Sequence, residues 1–300
     1  MQLLLFSTDS SLLVHGSRTQ KRISSYGSIA KELRIILYTK TKAPAEIAIA
    51  PNVFVHPVRP WIRAFYFFSA YRMAKKIIAH WHNNYLSIRL SSQDPFETGL
   101  VATSVGRKMH LPVQVQIHTD FLSPYFIRQS LKNRFRVWYS RYVIARATTV
   151  RVVSQRIADS LIAHNFPQKP VTILPIFADQ QMVQDALIAH DLKKEYVHNH
   201  PILLSMSRLA PEKNIFLAVD ALKEIIEKYP KALLAIVGQG PELSAIKRTV
   251  EKENLKEHVV FKPWASDVAS YYKSADLLLV TSNYEGYGLS IVEALSCGLP

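Results

Sequence analysis

The chain has 300 residues, 48% hydrophobic and 20% charged, with 37 Lys and Arg against 23 Asp and Glu for a net charge of +14. That composition excludes a disordered or fibrous chain and allows about two domains with sizeable cores. A single cysteine, Cys297, excludes an intramolecular disulfide, and no apolar run reaches the length needed to span a bilayer.

Residues 1–7 are apolar but lack a basic n-region and turn polar at Ser7-Thr8-Asp9, so they read as a first strand and not a signal peptide. The expected location is cytoplasmic. Short apolar runs at 3–7, 33–38, 53–58, 86–91, 113–118 and 148–153 alternate with longer segments of helical period, the pattern of a parallel, doubly wound sheet. Gly16 lies in the loop after the first run. Gln93-Asp94-Pro95-Phe96-Glu97 precedes a helix near Thr98, where Asp94 suits a cap or turn better than an acceptor base. His118 ends the run from Val113 and opens the turn His118-Thr119-Asp120-Phe121, as either a packed ring or an active-site one.

Residues 121–158 hold eight Lys and Arg and no Asp or Glu. Within them Leu131, Phe135, Trp138 and Tyr142 recur at helical spacing, flanked by Arg128, Lys132 and Arg136 on one side and by Arg134 and Arg141 on the other. This is the layout of an interfacial amphipathic helix with snorkelling cations. A second aromatic segment, 61–76, is expected to pack on the sheet. The run ending at Leu174-Pro175-Ile176-Phe177-Ala178 suggests domains of 1–178 and 179–300. The first holds 24 Lys and Arg against 7 Asp and Glu, a net +17, and the second 13 against 16, a net −3. Such asymmetry points to an anionic partner for the N-terminal half: a membrane surface, nucleic acid or an acidic substrate.

Residues 191–200, rich in charge and His, read as a surface connection. From Pro201 the alternation restarts, with runs at 202–206, 232–237, 259–261 and 277–281. Ligands of open α/β sheets bind beyond the carboxyl ends of the strands, so two such domains facing across a cleft would line it with Arg208, Gly238, Glu285 and His118. The last run leads into Asn283-Tyr284-Glu285-Gly286-Tyr287-Gly288-Leu289-Ser290-Ile291-Val292-Glu293-Ala294, a strand, a glycine-rich turn and a helix. Glu285 falls at the turn and Glu293 about two turns deeper, where both carboxylates can face one ligand. Gly286 and Gly288 let the backbone approach it and leave helix amides unpaired for an anionic or hydroxyl-rich group. Upstream, Ser207-Arg208-Leu209-Ala210-Pro211-Glu212-Lys213-Asn214 sets two cations at a strand-to-helix junction, a candidate diphosphate clamp. The plainer reading is a surface Arg and Lys flanking Glu212. No metal-ligand constellation is visible.

Together, with Val237-Gly238-Gln239-Gly240-Pro241 and Val259-Val260-Phe261 between them, these segments resemble the donor site of the retaining GT-B glycosyltransferases, specifically glycosyltransferase family 4. The resemblance covers essentially the whole chain and implies GT-B architecture, two Rossmann-like domains around a cleft. It implies that Arg208 and Lys213 neutralise the donor diphosphate in place of a metal ion, that Glu293 holds the ribose hydroxyls, and that Glu285 contacts the transferred sugar. It also places His118 near the sugar, Gly286, Tyr287, Gly288 and Leu289 around the donor, and Gly16 at its phosphate. No cofactor is implied beyond the nucleotide-sugar co-substrate. The family continues with further strand and a closing helix after Pro300, so the C-terminal domain is expected to be incomplete. The implied activity is retaining transfer from a UDP- or GDP-linked sugar to a cell-envelope glycolipid or polysaccharide acceptor, by a peripheral enzyme on the cytoplasmic leaflet. A donor-binding but inactive GT-B partner subunit and a basic nucleic-acid-binding protein are the alternatives.

Overall fold

The structure, a computed structural model, describes residues 1–60, 62, 65–81, 87–178, 180–264 and 267–300. Trp61, from the second aromatic segment, and Leu86, the expected start of one strand, lie outside these. The chain divides into two compact units, Met1–Pro175 and Ile176–Pro300, three residues before the expected boundary.

The first unit runs β1 (Gln2–Ser7), α1 (Arg18–Tyr26), β2 (Glu32–Tyr38), β3 (Ile47–Ala50), β4 (Val53–Val58), α2 (Tyr66–His80) and β5 (Ile88–Ser92). It continues with α3 (Glu97–Met109), β6 (Val113–Ile117), α4 (Pro124–Gln129), α5 (Leu131–Arg146), β7 (Thr149–Val152), α6 (Gln155–Ala163) and β8 (Val171–Ile173). Among the described residues the sheet order is β3-β4-β2-β1-β5-β6-β7-β8. Every pair is parallel except β3 with β4. A strand covered on both faces is apolar along most of its length, which is why β1 reads QLLLFS, with its polar residues at the two ends, and buries all but one of its residues. α1 packs Ile23 against Leu5, Leu33, Ile35 and Val53 on one face. The edges were not expected from sequence: β3 has only four residues and a bulge, and β8 is exposed along its length.

The second unit runs α7 (Gln180–Asp185), α8 (Leu192–Glu195), β9 (Ile202–Met206), α9 (Ile215–Lys228), β10 (Leu233–Val237) and α10 (Leu243–Lys252). β11 (Val259–Lys262), α11 (Val268–Ser274), β12 (Leu277–Leu278) and α12 (Leu289–Ser296) complete it. The strands form a parallel sheet in the order β11-β10-β9-β12. Alternate side chains of one strand feed opposite cores. Leu203, Leu234 and Ile236 pack with Ile215, Val219 and Leu222 of α9 and Ile246 of α10. Leu204, Met206, Ala235 and Val237 pack on the other face with Val183, Leu192, Tyr271 and Ala294. The segment read as a surface connection instead holds α8, capped by the Asp191 carboxylate and anchored by the buried Leu192.

Candidate functional site

Because β12 pairs with β9, the loops leaving their carboxyl ends lie side by side although they are some seventy residues apart in sequence. The β9 loop is held from both flanks. On one, the Leu209 N–H donates to the Gln239 carbonyl at 2.9 Å and the Glu242 N–H donates to the Leu209 carbonyl at 3.1 Å. Only glycine allows backbones this close: a Cβ on Gly238 would stand 2.0 Å from the Ser207 carbonyl oxygen, and one on Gly240 2.1 Å from that of Leu209. On the other, the Asn283 N–H donates to the Glu212 carbonyl at 2.9 Å and the Thr281 hydroxyl to the Lys213 carbonyl at 3.0 Å.

That lacing brings Lys213 to Glu285. Nζ donates to Oε1 at 2.5 Å, and the same oxygen accepts from the Ser282 hydroxyl at 2.7 Å. The two side chains are 21% and 26% exposed, and together with Ser207, Thr281, Ser282 and Ser290 they line one small depression. Arg208, exposed, turns to Glu212 four residues on. Each cation of the expected clamp therefore rests on a carboxylate of its own, Arg208 on Glu212 and Lys213 on Glu285. Between them Tyr284 has its hydroxyl pKa pushed up to about 12, by burial first and then by Glu212.

Gly286 and Tyr287 are half-buried in the turn, and Gly288, at φ +77°, caps α12 in a left-handed conformation that suits glycine. Leu289 is the first residue of α12 and Glu293 the fifth, about one turn in where the spacing suggested two. Glu293 is buried. Its Oε2 accepts from the Tyr272 hydroxyl at 3.1 Å, and it does not line the depression beside Glu285.

In the first unit His118 follows β6. Its Nε2 lies 3.0 Å from Gln116 Oε1, which also accepts from Arg151 Nη1 at 3.0 Å, while Gln116 Nε2 donates to the Ser91 hydroxyl at 2.8 Å. Those two bonds orient the amide, so Oε1 faces His118 and the neutral ring carries its hydrogen on Nε2. Burial, then Arg151 and Arg22, holds the imidazole pKa down to about 4. Asp120, two residues on, sits 3.7 Å from Arg156. Asp94 Oδ1 accepts from the Phe96 and Thr98 N–H groups at 2.7 and 3.2 Å, as a cap does. Gly16, at φ +71°, precedes α1 and is exposed.

Sequence reasoning passed over Ser282, Tyr272, Gln116 and Arg151. Only Gln116 left a signal, standing two places before His118 and so on the same face of its strand.

Residues 34–176 match the family described as glycosyl transferase 4-like domain, and residues 190–300 match glycosyl transferases group 1. The chain is similar to the UDP-Gal:alpha-D-GlcNAc-diphosphoundecaprenol alpha-1,3-galactosyltransferase of Escherichia coli, 26% identical over 77% of this chain and 59% of that one. It is also similar to the alpha-monoglucosyldiacylglycerol synthase of Streptococcus pneumoniae, 26% identical over 70% of this chain and 50% of that one. The chain thus spans between half and three fifths of these relatives' length. Among solved structures, Anabaena HepE in complex with UDP and glucose superimposes with a TM-score of 0.75 at 18% identity, over 100% of this chain and 79% of that one.

Proposed function

We propose that this chain, a member of the GT-B glycosyltransferases, moves a sugar from a nucleotide-diphosphate sugar to a lipid-linked or polysaccharide acceptor of the cell envelope, with retention of configuration. The carrying observation is the Lys213–Glu285 pair at the joined ends of β9 and β12, with Arg208 five residues before Lys213 in the loop that follows β9. A leaving nucleoside diphosphate gains negative charge in the transition state, and Lys213 and Arg208 are the fixed cations able to meet it, doing what a metal ion does elsewhere. Glu285, released by Lys213, accepts hydroxyls of the transferred sugar. Glu293 takes the ribose hydroxyls, with Tyr272 orienting its second oxygen. In this reading the amides of Gly286 to Leu289 meet the donor, and Gly16, exposed before α1, is a candidate contact to its phosphate.

His118 enters this reading as a neutral hydrogen-bonding ring beside the sugar, not as an acid. The bond from the anomeric carbon to the diphosphate oxygen breaks, a bond to the acceptor oxygen forms on the same face, and the acceptor proton passes to the leaving phosphate. The relatives named above act, by their names, on a diphosphoundecaprenol-linked sugar and on a diacylglycerol glycolipid. A lipid-borne acceptor fits a chain working peripherally on the cytoplasmic leaflet. Among the described residues no helix is long and apolar enough to cross a membrane.

The test is a thermal-shift comparison of UDP, GDP and ADP, with and without EDTA, on the chain and on Arg208→Ala/Lys213→Ala. At about a hundred times Kd a ligand stabilises by about 2.7 kcal/mol. One nucleotide stabilising the parent alone, regardless of EDTA, supports the reading; no response from a folded parent sinks it.

A further inference from the structure

A surface helix ordinarily turns its large apolar side chains inward. α5 does the reverse. Leu131, Phe135, Trp138 and Tyr142 are 79%, 60%, 70% and 46% exposed, and at 3.6 residues per turn they fall within an arc of about 60°. The opposite face buries Asn133, Ser140, Val143 and Ile144. Its polar members are satisfied, Asn133 Nδ2 donating to the Phe126 carbonyl at 3.0 Å and the Ser140 hydroxyl to that of Val137 at 2.7 Å. The rotation is locked by Arg136, which forks onto both oxygens of Glu97 at 2.8 Å and lies over the Phe96 ring. The outward stripe is therefore built in. Phe135 and Trp138 stack at 5.4 Å, and Arg146 lies over the Tyr142 ring. Arg128 and Arg134 stand exposed beside the stripe, with no acidic partner among the described residues.

We propose that the exposed face of α4 and α5 is a docking surface for an anionic lipid bilayer, with the stripe from Leu131 to Tyr142 seated in the headgroup boundary between flanking arginines. It gives the acceptor reading above its surface, and rests on that reading for its purpose but not for its geometry. The occupant follows from complementarity. Eight cations and no acid across 121–158 would set a second copy of this chain against its own charge. Tyr and Trp, apolar in body and polar at the tip, suit the boundary between lipid and water. A solvated nucleic acid would answer the cations but leave Leu131 uncovered.

The experiment is co-sedimentation with vesicles of phosphatidylcholine alone or mixed with phosphatidylglycerol, without nucleotide. Parent, Phe135→Ser/Trp138→Ser, Arg128→Gln/Arg134→Gln and the charge-matched control Lys40→Gln/Lys42→Gln are compared. All these side chains are exposed, and unchanged melting confirms folding. The parent is expected to bind the anionic vesicles only, and less in high salt. The arginine variant should lose roughly fivefold in affinity per cation, and the serine variant on the order of a hundredfold, while the control stays near the parent. Equal binding by parent and serine variant overturns the proposal. So does parent binding to neutral vesicles alone, a parent dimer that the serine variant disperses, or tighter retention on single-stranded RNA than on vesicles. Because no nucleotide is present, loss of the donor reading and loss of this one are told apart.

Discussion

Lys213 and Glu285 hold each other, so their substitution should move nucleotide binding in opposite directions. In Lys213→Met the Nζ donor disappears while Glu285 Oε1 keeps the Ser282 hydroxyl. A hydrogen bond to a charged group contributes about 1.5–3 kcal/mol. With side chains 21% and 26% exposed, the pair falls between surface pairs and buried ones, and about 2 kcal/mol is the consistent cost. For a unit of this size that is a fall in Tm of roughly 8 °C. A similar loss at the diphosphate weakens UDP about 30-fold. Glu285→Gln leaves an oxygen for Lys213 but removes a negative charge beside the phosphates. UDP should then bind as tightly as to the parent or up to about fivefold tighter, while turnover falls by on the order of a hundredfold or more. Titration calorimetry on parent, both singles and the double variant closes a cycle, with a coupling of about 1–2 kcal/mol expected. If Lys213→Met binds UDP like the parent, or the coupling vanishes, the pair is a structural tie and the diphosphate sits elsewhere.

Three further outcomes follow from the geometry. His118 has its pKa lowered to about 4 when folded, against about 6.5 unfolded, so between these values the unfolded chain binds the extra proton and stability rises with pH. Urea titrations from pH 4 to 7 should show up to about 3 kcal/mol of this dependence disappearing in His118→Gln; an unchanged slope refutes the assignment. Gly240→Ala forces a Cβ onto the Leu209 carbonyl and should destabilise the second unit by about 3 kcal/mol or more, read by chemical denaturation. A variant that melts with the parent would show that the two loops can separate without loss. At Glu97 burial raises the pKa but Arg136 outweighs it, so the carboxylate's contribution is present above its unfolded value and fades as pH falls. Glu97→Ala should cost the first unit about 1–2 kcal/mol at pH 7, solvent screening of the partly exposed carboxylate included, and less at pH 3, and equal losses at both would remove the ion pair from the account.

Strands with two paired neighbours were legible because burial on both faces leaves mostly apolar residues: β4 and β9 coincide with the expected 53–58 and 202–206. Edges were not. Among the described residues β12 pairs with β9 alone, and its ladder stops at Leu278 although the apolar run continues to Thr281. α8 holds one buried apolar side chain, Leu192, and a single residue has no period. At the site, the residue types were visible and their partners were hidden. That Lys213 meets Glu285, and that Tyr272 meets Glu293, depends on which strands and helices are neighbours, which no local pattern encodes. The same holds for the rotation of α5, set by Glu97 from a helix more than twenty residues upstream.

The stitching of the β9 loop to its two neighbours bears on how this region breathes. Loops that bind ligands usually open on their own, at little cost and far faster than the sheet beneath them. Here the amides of Leu209, Glu242 and Asn283 are spent on bonds between three successive strand ends, and Gly238 bonds back to the carbonyl of Lys262 in β11. To release any one of these loops, the others must let go. Hydrogen exchange at those amides should therefore occur as one cooperative event tied to the sheet, and Lys213 and Glu285, carried by these laced loops, would meet a ligand already in register.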